Sequence, residues 1–138
     1  GGILIVEVPN LDSWQARFGG GVWFHLDTPR HLYHFSRQGL QAILENEGFT
    51  IFRVSTFSLE YGPYGMWQTW LNRVTDKPNV LYSLLKSARP ARLRRTGLWD
   101  LCVTAVMLAP LTVIGTLAEA AACARGRGSI VKIVAANP

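Results

Sequence analysis

Three histidines and two charged residues lie close together in one short stretch of the sequence. They are His25, Asp27, Arg30, His31 and His34, and the chain has no other histidine. Neutral imidazole accepts a proton at pH 7, so a histidine in this stretch could act as a general base. His31 is our candidate for that catalytic role. The alternative is that His31 hydrogen-bonds the helix that follows it.

The residues around His31 are candidates for holding a substrate. Asp27 and Arg30 could orient a polar substrate, or could form a local ion pair that holds a turn. Trp23 and Tyr33 could line a pocket, although such aromatic residues more often belong to the core. The predicted substrate-binding residues are Asn10, Trp23, His25, Asp27, Arg30 and His34.

A bound metal is the second chemistry that these side chains could support, since imidazole and carboxylate are common ligands of zinc and non-haem iron. The spacing of His25, Asp27, His31 and His34 matches no ligand motif, and no cysteine lies nearby. We therefore expect no metal site, and His34 is better explained as a structural residue. Glu7, in an apolar run, is either catalytic or paired with a neighbouring cation.

The elements that position these residues begin with an apolar run. Residues 3 to 8 are apolar except Glu7, a pattern typical of a strand covered on both faces in a parallel α/β sheet. Pro9 ends the strand because proline cannot donate to a sheet ladder. Ligand crevices form at the carboxyl ends of such strands, so Asn10 should lie near a site. A short helix is expected over 12–18.

A helix and two further strands complete the predicted sheet unit. Ser36 is typical of an N-cap, and the apolar residues that follow it are three and four apart. Gly48 fits the left-handed position after the helix, with Phe49 packing back against it. Residues 50–57 and 129–136 are predicted strands, because they are rich in β-branched residues.

Residues 59 to 128 have a different character, with two amphipathic segments and a long apolar stretch. The apolar stripe of Met66, Trp67 and Trp70 indicates either contact with a membrane surface or a cover over an apolar acceptor. Five cations follow, at Lys86, Arg89, Arg92, Arg94 and Arg95. Nucleic-acid binding is not expected, because these cations lack interleaved aromatic residues. Peripheral membrane contact is predicted through residues 64–124.

The apolar stretch 101–118 has eighteen residues without a charge, which approaches the length of a membrane span. We expect it not to cross a membrane, because the strands before and after it must pair in one sheet. Pro110 removes a helical hydrogen bond near the middle of the stretch. Two shorter helices, over 98–109 and 111–124, are therefore predicted to fold back as a hairpin.

The composition is that of one globular domain with a basic charge balance. The chain has 138 residues, 49% hydrophobic residues and a formal net charge of +5, which excludes general disorder. Cys102 and Cys123 cannot form a disulfide framework, so a reducing cytoplasmic setting is expected and a zinc ribbon is excluded. The sequence enters an apolar run directly after Gly1-Gly2, and we expect a C-terminal piece of a longer protein.

Several spaced elements resemble the C-terminal half of a class I S-adenosylmethionine-dependent methyltransferase of the broad bacterial methyltransferase-domain group. They are Gly1-Gly2 with the apolar strand and Pro9-Asn10, then Trp23, then Asp27-Thr28-Pro29-Arg30-His31 through Phe35-Ser36, and then Gly48-Phe49. The resemblance implies an α/β fold, the last three strands of a Rossmann-like sheet, with the final strand antiparallel between its two predecessors. It divides the chain into methyltransferase residues 1–58, an α-helical insert 59–128 and a closing strand 129–138.

The resemblance also implies an activity, with His31 in the place of an active-site histidine. The acceptor would be a small molecule or a lipid-linked compound, and the protein would be cytoplasmic or peripheral on the inner face of the membrane. The glycine-rich loop and the acidic residue that hold S-adenosyl-L-methionine in the family are absent here, so no cofactor-binding residue is predicted and the piece alone should be inactive. The alternative is a non-catalytic module whose apolar insert docks a partner protein or a membrane.

Overall fold

The chain folds as a mixed α/β structure in which one small sheet is combined with several helices. The computed structural model describes residues 1–86 and 96–137. Four of the five clustered cations, from Arg89 to Arg95, lie outside the described residues. The elements in chain order are β1 (Ile3–Pro9), α1 (Trp14–Gly19), α2 (Arg37–Asn46), β2 (Thr50–Ser55), α3 (Gly62–Val74), α4 (Val80–Lys86), α5 (Leu98–Ala124) and β3 (Ile130–Ala136).

The three strands form one sheet in the order β1-β3-β2, and β3 is antiparallel to both of its neighbours. Ile133 of β3 pairs with Val6 on one side and with Val54 on the other. The predicted position of the last strand, antiparallel between its two predecessors, is therefore confirmed. This order is not that of a parallel Rossmann sheet, and three antiparallel strands do not establish the larger architecture.

One face of the sheet packs against α2 and forms the first hydrophobic cluster. Its buried members are Leu40, Leu44, Val131, Ile133 and Ala135. On the opposite face, Ile3 is 74% exposed and Ile5 is 60% exposed. The prediction that the first strand is covered on both faces is therefore wrong for this structure, because α2 covers one face and alternate residues of a strand point away from it.

Both ends of α2 follow the sequence prediction. The Ser36 hydroxyl accepts a hydrogen bond from the Gly39 amide at 2.9 Å and so caps the first turn. At the other end Gly48 has a φ of 82°, and the Phe49 amide donates to the Leu44 carbonyl at 2.9 Å. This is a Schellman ending, which stops the helix and directs the chain into β2.

A second hydrophobic cluster lies between α3, α4 and α5, with Leu71, Leu81 and Leu111 buried at its centre. Helix α3 runs along α5, and a Cβ on Gly115 would lie 2.6 Å from the Trp67 ring. Met66 is 3% exposed, and the Trp70 ring lies 5.5 Å from the Phe18 ring of α1. The apolar stripe of α3, for which contact with a membrane or a cover over an apolar acceptor was predicted, therefore packs against other parts of this chain.

Residues 98 to 124 form one continuous helix, so the predicted hairpin of two helices is wrong. Pro110 removes one hydrogen bond, but its ring lies on the exposed side and does not break the helix. The Thr112 hydroxyl donates to the Ala109 carbonyl at 2.7 Å, close to the interruption. Leu111 and Gly115 on one side of the proline and Met107 on the other pack in the cluster with α3, and this packing holds both halves in one helix.

The outer face of α5 is apolar and exposed. Its exposed large residues are Leu98, Trp99, Val106, Val113, Ile114 and Leu117. Among the described residues α5 is a helix long and apolar enough to cross a membrane, with 17% of its apolar window buried.

Buried carboxylates fix the two ends of α5 to the rest of the protein. Asp100, 1% exposed, accepts a hydrogen bond from the Asp76 amide at 2.8 Å. Glu119, 2% exposed, accepts from the Gln15 side chain at 2.8 Å and from both the amide and the hydroxyl of Ser129. Helix α5 is therefore tied by polar contacts to α1 and to the segment that enters β3.

The two cysteines both lie on α5, near its opposite ends, and they differ in exposure. Cys102 is exposed. The Cys123 thiol donates to the Thr56 carbonyl at 3.3 Å, and its sulfur lies 3.7 Å from a carboxylate oxygen of Glu119. Burial, together with this neighbouring carboxylate, raises the pKa of Cys123 to about 12.

Candidate functional site

A cavity of about 820 Å³ opens where β1 and β2 end and β3 begins. The end of β1 supplies Glu7 and Pro9, and the loop that follows β2 supplies residues 57–61. His25 and His31 come from the segment between α1 and α2. The structure therefore brings two of the three sequence-predicted histidines to the carboxyl ends of two strands, where ligand crevices form in α/β proteins.

The geometry around His31 fixes which of its ring nitrogens is available. Its Nδ1 lies 3.3 Å from the backbone carbonyl oxygen of His25. A carbonyl can only accept, so Nδ1 carries the proton in the neutral ring. Nε2 then holds the lone pair, and the side chain is exposed at the cavity. This is the tautomer that a general base requires.

His25 is a different kind of residue, because it is buried. Its side chain is 7% exposed, and Nε2 donates to the Tyr61 carbonyl at 3.3 Å. Burial lowers the pKa of His25 to about 4, so the ring is neutral at pH 7. A Cβ on Gly65 would overlap the ring, which shows how closely α3 approaches it. The neutral His25 side chain therefore forms part of the cavity wall, and its burial holds the His25 backbone carbonyl that contacts His31.

The rim of the cavity carries a pair of opposite charges. Glu7 and Lys132 face each other across β1 and β3, with the Lys132 Nζ 3.3 Å from the Glu7 carboxylate. Both side chains are partly exposed, so this pair adds little stability. Of the two sequence readings of Glu7, pairing with a neighbouring cation is observed, and the same carboxylate also borders the cavity.

Asp27 and Arg30 form the local ion pair that was one of their two sequence interpretations. The Arg30 guanidinium donates to the Asp27 carboxylate at 2.9 Å, and this raises the pKa of Arg30. Asp27 itself has a φ of 38°, a left-handed turn conformation. Neither residue lines the histidine cavity, although the His31 amide donates to the Asp27 carbonyl at 3.2 Å, and their role as substrate contacts stays a prediction.

Trp23 and His34 pack together behind the cavity. Trp23 is 3% exposed, with its ring 5.8 Å from the His25 ring and 5.9 Å from the His34 ring. His34 Nε2 donates to the Leu26 carbonyl at 3.0 Å. These contacts hold the segment that carries His25 and His31, which is a structural role.

Asn10 is fully buried and lies on the α2 side of the strand end. Its amide nitrogen donates to the Gly128 carbonyl at 2.8 Å, and its amide oxygen accepts from the Asp12 amide at 3.1 Å. The amide nitrogen thus joins the end of β1 to the segment before β3, and the amide oxygen closes a local turn. The structure places Asn10 outside the histidine cavity.

The sequence analysis missed the loop after β2, which supplies Ser58, Glu60 and Tyr61 to the cavity wall, and it missed Lys132. A signal for the loop was available, because it follows the carboxyl end of a predicted strand just as Asn10 does. Lys132 could be found only by assigning the register of β3 against β1.

Among residues 1–86 and 96–137, no group of three or more His, Cys, Asp or Glu side chains is arranged to hold a metal ion. No family model, no curated protein and no solved structure matches this chain. We therefore infer the function from the geometry of the cavity and from the residues that line it.

Proposed function

We propose that this chain forms the acceptor-binding part of an S-adenosylmethionine-dependent methyltransferase, with His31 as the general base. The observation that carries the proposal is the exposed His31 ring in the cavity of about 820 Å³, with Nδ1 held by the His25 carbonyl and Nε2 available. Methyl transfer to oxygen, nitrogen or carbon requires an acceptor that loses a proton, and a neutral imidazole at pH 7 can take it.

The sheet supports the same proposal. A last strand that runs antiparallel between its two predecessors is what the resemblance to class I methyltransferases implies for strands β1, β2 and β3. The cavity lies at the edge of the sheet where substrates bind in open α/β folds. A fold-level resemblance is weaker support than the site, because one fold carries many activities.

The described residues do not fit the cofactor itself. None of the described strands leads through a glycine-rich turn into a helix, and the Asn10 side chain at the end of β1 is engaged on both its donor and acceptor sides. We assign no cofactor contact to this chain. The proposed role of its residues is to bind the acceptor and to remove its proton.

Proton removal follows from the contacts of His31. As an acceptor hydroxyl or amine reacts, its proton passes to Nε2 of His31 and the ring becomes an imidazolium. The Nδ1 hydrogen bond to the His25 carbonyl stabilises that positive charge. His25, whose pKa is lowered to about 4, stays neutral and does not compete for the proton.

The test is His31→Ala in the full-length protein that contains this chain, assayed for methyl transfer to its acceptor. We expect the rate to fall roughly a hundredfold or more, while affinity for S-adenosylhomocysteine stays nearly constant. His34→Gln is the matched control, because His34 also contacts a backbone carbonyl but lies behind the cavity. Equal losses in both variants would contradict a catalytic role for His31.

A second measurement addresses the division of labour. The 138-residue chain alone should show no binding of S-adenosylhomocysteine by calorimetry, since we assign no cofactor-binding residue among its described residues. Micromolar binding by this chain would show that the cofactor site has been assigned wrongly.

We also propose that α5 contacts the membrane surface without crossing it. Its exposed outer face, which includes Val106, Val113 and Leu117, is apolar and offers a surface that lipid can cover. Strands β2 and β3 pair with each other, so the chain must return to the side from which it left. Among the described residues no second helix is long and apolar enough to make that return crossing.

The membrane proposal is tested with single cysteines at exposed positions near the two ends of α5. Leu98→Cys and Ala124→Cys serve this purpose in an otherwise cysteine-free protein, because both positions are exposed. In intact cells both sites should be protected from a membrane-impermeant thiol reagent and should react after permeabilisation. Labelling of one site alone would demonstrate a true crossing.

A further inference from the structure

We propose that a second cavity, lined by four arginines, binds a phosphate group. This arginine cavity has a volume of about 570 Å³ and lies on the α2 side of the sheet edge, away from His25 and His31. Its wall includes Arg17, Arg37, Arg125 and Arg127, together with Asp12 and Gln41. The proposal is independent of the methyltransferase assignment, because it shares no lining residue with the histidine cavity.

The charge of the arginine cavity is not balanced within the structure. Four guanidinium groups face one carboxylate, that of Asp12. Within residues 1–86 and 96–137 the ion pairs are Arg30 with Asp27 and Lys132 with Glu7, so none of the four arginines has a carboxylate partner there. Like charges gathered in a concave site raise the local concentration of anions, and a bound anion would relieve their repulsion.

The backbone that carries these arginines is held rigidly. Arg127 donates its amide to the Ala122 carbonyl at 2.8 Å and accepts from the Trp14 amide at 3.1 Å. The Arg125 guanidinium lies 5.4 Å from the Trp14 ring centroid, and its NH1 contacts the Ala121 carbonyl at 3.3 Å. A cavity whose charged groups are already positioned loses less entropy when it binds a ligand.

Arg37 reaches the cavity from the first turn of α2 and passes close to Gly126, where any side chain would obstruct the arginine. Gly126 has a φ of 66°, and a Cβ there would lie 3.1 Å from the Arg37 guanidinium. The Arg37 Nε donates to the Gln41 side chain at 3.3 Å, which leaves its terminal nitrogens for other acceptors. The glycine therefore serves both the end of α5 and the approach of Arg37.

Phosphate is the anion that this arrangement fits best. Guanidinium groups bind phosphate oxygens in pairs of parallel hydrogen bonds, and a phosphate dianion or a diphosphate can engage several arginines at once. The group could belong to a soluble phosphate ester or to a lipid headgroup, since Arg125 directly follows the exposed helix α5. The recognised chemistry is the same in both cases.

The binding of pyrophosphate to the full chain at about 0.15 M salt separates this site from nonspecific attraction, which such salt screens. The test variant is Arg37→Gln with Arg127→Gln, and the matched control is Arg53→Gln, which removes an exposed charge from β2. Gln41→Glu is a second test variant, because it supplies Arg37 with an intramolecular carboxylate and removes no arginine. To test whether the phosphate belongs to a lipid headgroup, binding to vesicles of phosphatidic acid is compared with binding to vesicles of phosphatidylcholine.

We expect the double variant to weaken pyrophosphate binding by at least about tenfold, Gln41→Glu to weaken it less, and Arg53→Gln to leave it within about twofold. Binding to phosphatidic acid vesicles alone, with the same dependence on Arg37 and Arg127, would assign the site to a lipid phosphate. Absence of binding to both probes would overturn the proposal. So would an equal loss in Arg53→Gln, because the attraction would then come from net charge.

Discussion

The sheet and the helical part of this protein are stabilised in different ways. The cluster between α2 and the sheet is aliphatic, with Leu40, Leu44 and Ile133 among its buried members. The cluster between α3, α4 and α5 is flanked by buried polar groups, including Gln15, Gln68 and Glu119. A hydrophobic cluster tolerates some rearrangement, whereas buried polar groups must meet specific partners.

This difference shows how α5 can keep an apolar outer face and still have one position. Apolar contact with α3 distinguishes one turn of such a helix from the next at Gly115, where the Trp67 ring packs closely. The Glu119 carboxylate does so as well, because it must meet Gln15 and Ser129 at the same time. We infer that these polar contacts help to set the register of α5 and that apolar contacts supply most of the free energy.

The largest effect is expected for the carboxylate that helps to set this register. Glu119→Ala leaves the amide and the hydroxyl of Ser129 without their acceptor and removes one of the two acceptors of the Gln15 side chain, so it should lower the free energy of unfolding by about 4 kcal/mol. Urea denaturation measures the change, with the exposed Glu45→Ala as the matched control. Glu119→Gln keeps one acceptor and should cost less. A loss no larger than that of Glu45→Ala would refute the assigned role.

The next effect depends on pH and concerns His25, which borders the cavity at the sheet edge and packs against helix α3. The pKa of His25 is about 4 in the folded protein and about 6.5 when unfolded. Between these values the unfolded state binds a proton that the folded state does not, so stability is full above pH 6.5 and falls as the pH is lowered toward 4. The loss should reach about 3 kcal/mol.

Replacement of His25 by phenylalanine should remove this pH dependence, although it also removes the hydrogen bond to Tyr61. The measurement is the slope of the unfolding free energy between pH 6.5 and 4, rather than its value at one pH. His34→Gln is the control, and it should retain the slope. An unchanged slope in His25→Phe would assign the acid sensitivity to other groups.

A smaller effect tests the close approach of α3 and α5. Gly115→Ala places a methyl group 2.6 Å from the Trp67 ring and should cost about 2 kcal/mol, because the ring has to shift. Gly21→Ala is the control, since a Cβ there meets nothing within 4 Å. Thermal unfolding distinguishes them. If Gly115→Ala were neutral or stabilising, the two helices would be less tightly packed than the structure shows.

The smallest effect on stability is expected on the outer face of α5. Val113→Ser with Leu117→Ser changes residues that are 61% and 65% exposed, and the free energy of unfolding in water should change by less than about 0.5 kcal/mol. The same variant should bind lipid vesicles more weakly, which a sedimentation assay measures. A large loss of stability would show that this face is packed against something within the protein itself.

Much of the sheet region could be predicted because its signals are local. Ser36 is a capping residue before an apolar periodicity, and Gly48 occupies a position that requires a positive φ. The first strand was predicted from its apolar run and the other two from their β-branched residues, and the order of the strands came from the resemblance. The coverage of the first strand was predicted wrongly, because an apolar run does not show which of its faces has a partner.

The helical region was harder to predict because its signals are tertiary. Pro110 is a helix breaker by local rules, yet packing on both sides of it keeps α5 continuous. The side that Met66 faces depends on where α5 lies, which no local pattern contains. In the site, the single-residue signal identified His31, whereas the arginine cavity combines residues far apart in the sequence, such as Arg37 and Arg127.

The environments of the two cysteines make α5 a helix with a built-in chemical reporter. A thiolate reacts with alkylating reagents and a thiol does not, so a pKa of about 12 leaves Cys123 almost inert at neutral pH. Cys102, on the exposed side, can carry a fluorophore without any substitution. The emission of that fluorophore would report the polarity around the outer face of α5. The rate at which Cys123 reacts would report how often the end of α5 separates from Thr56 and the thiol loses its contacts.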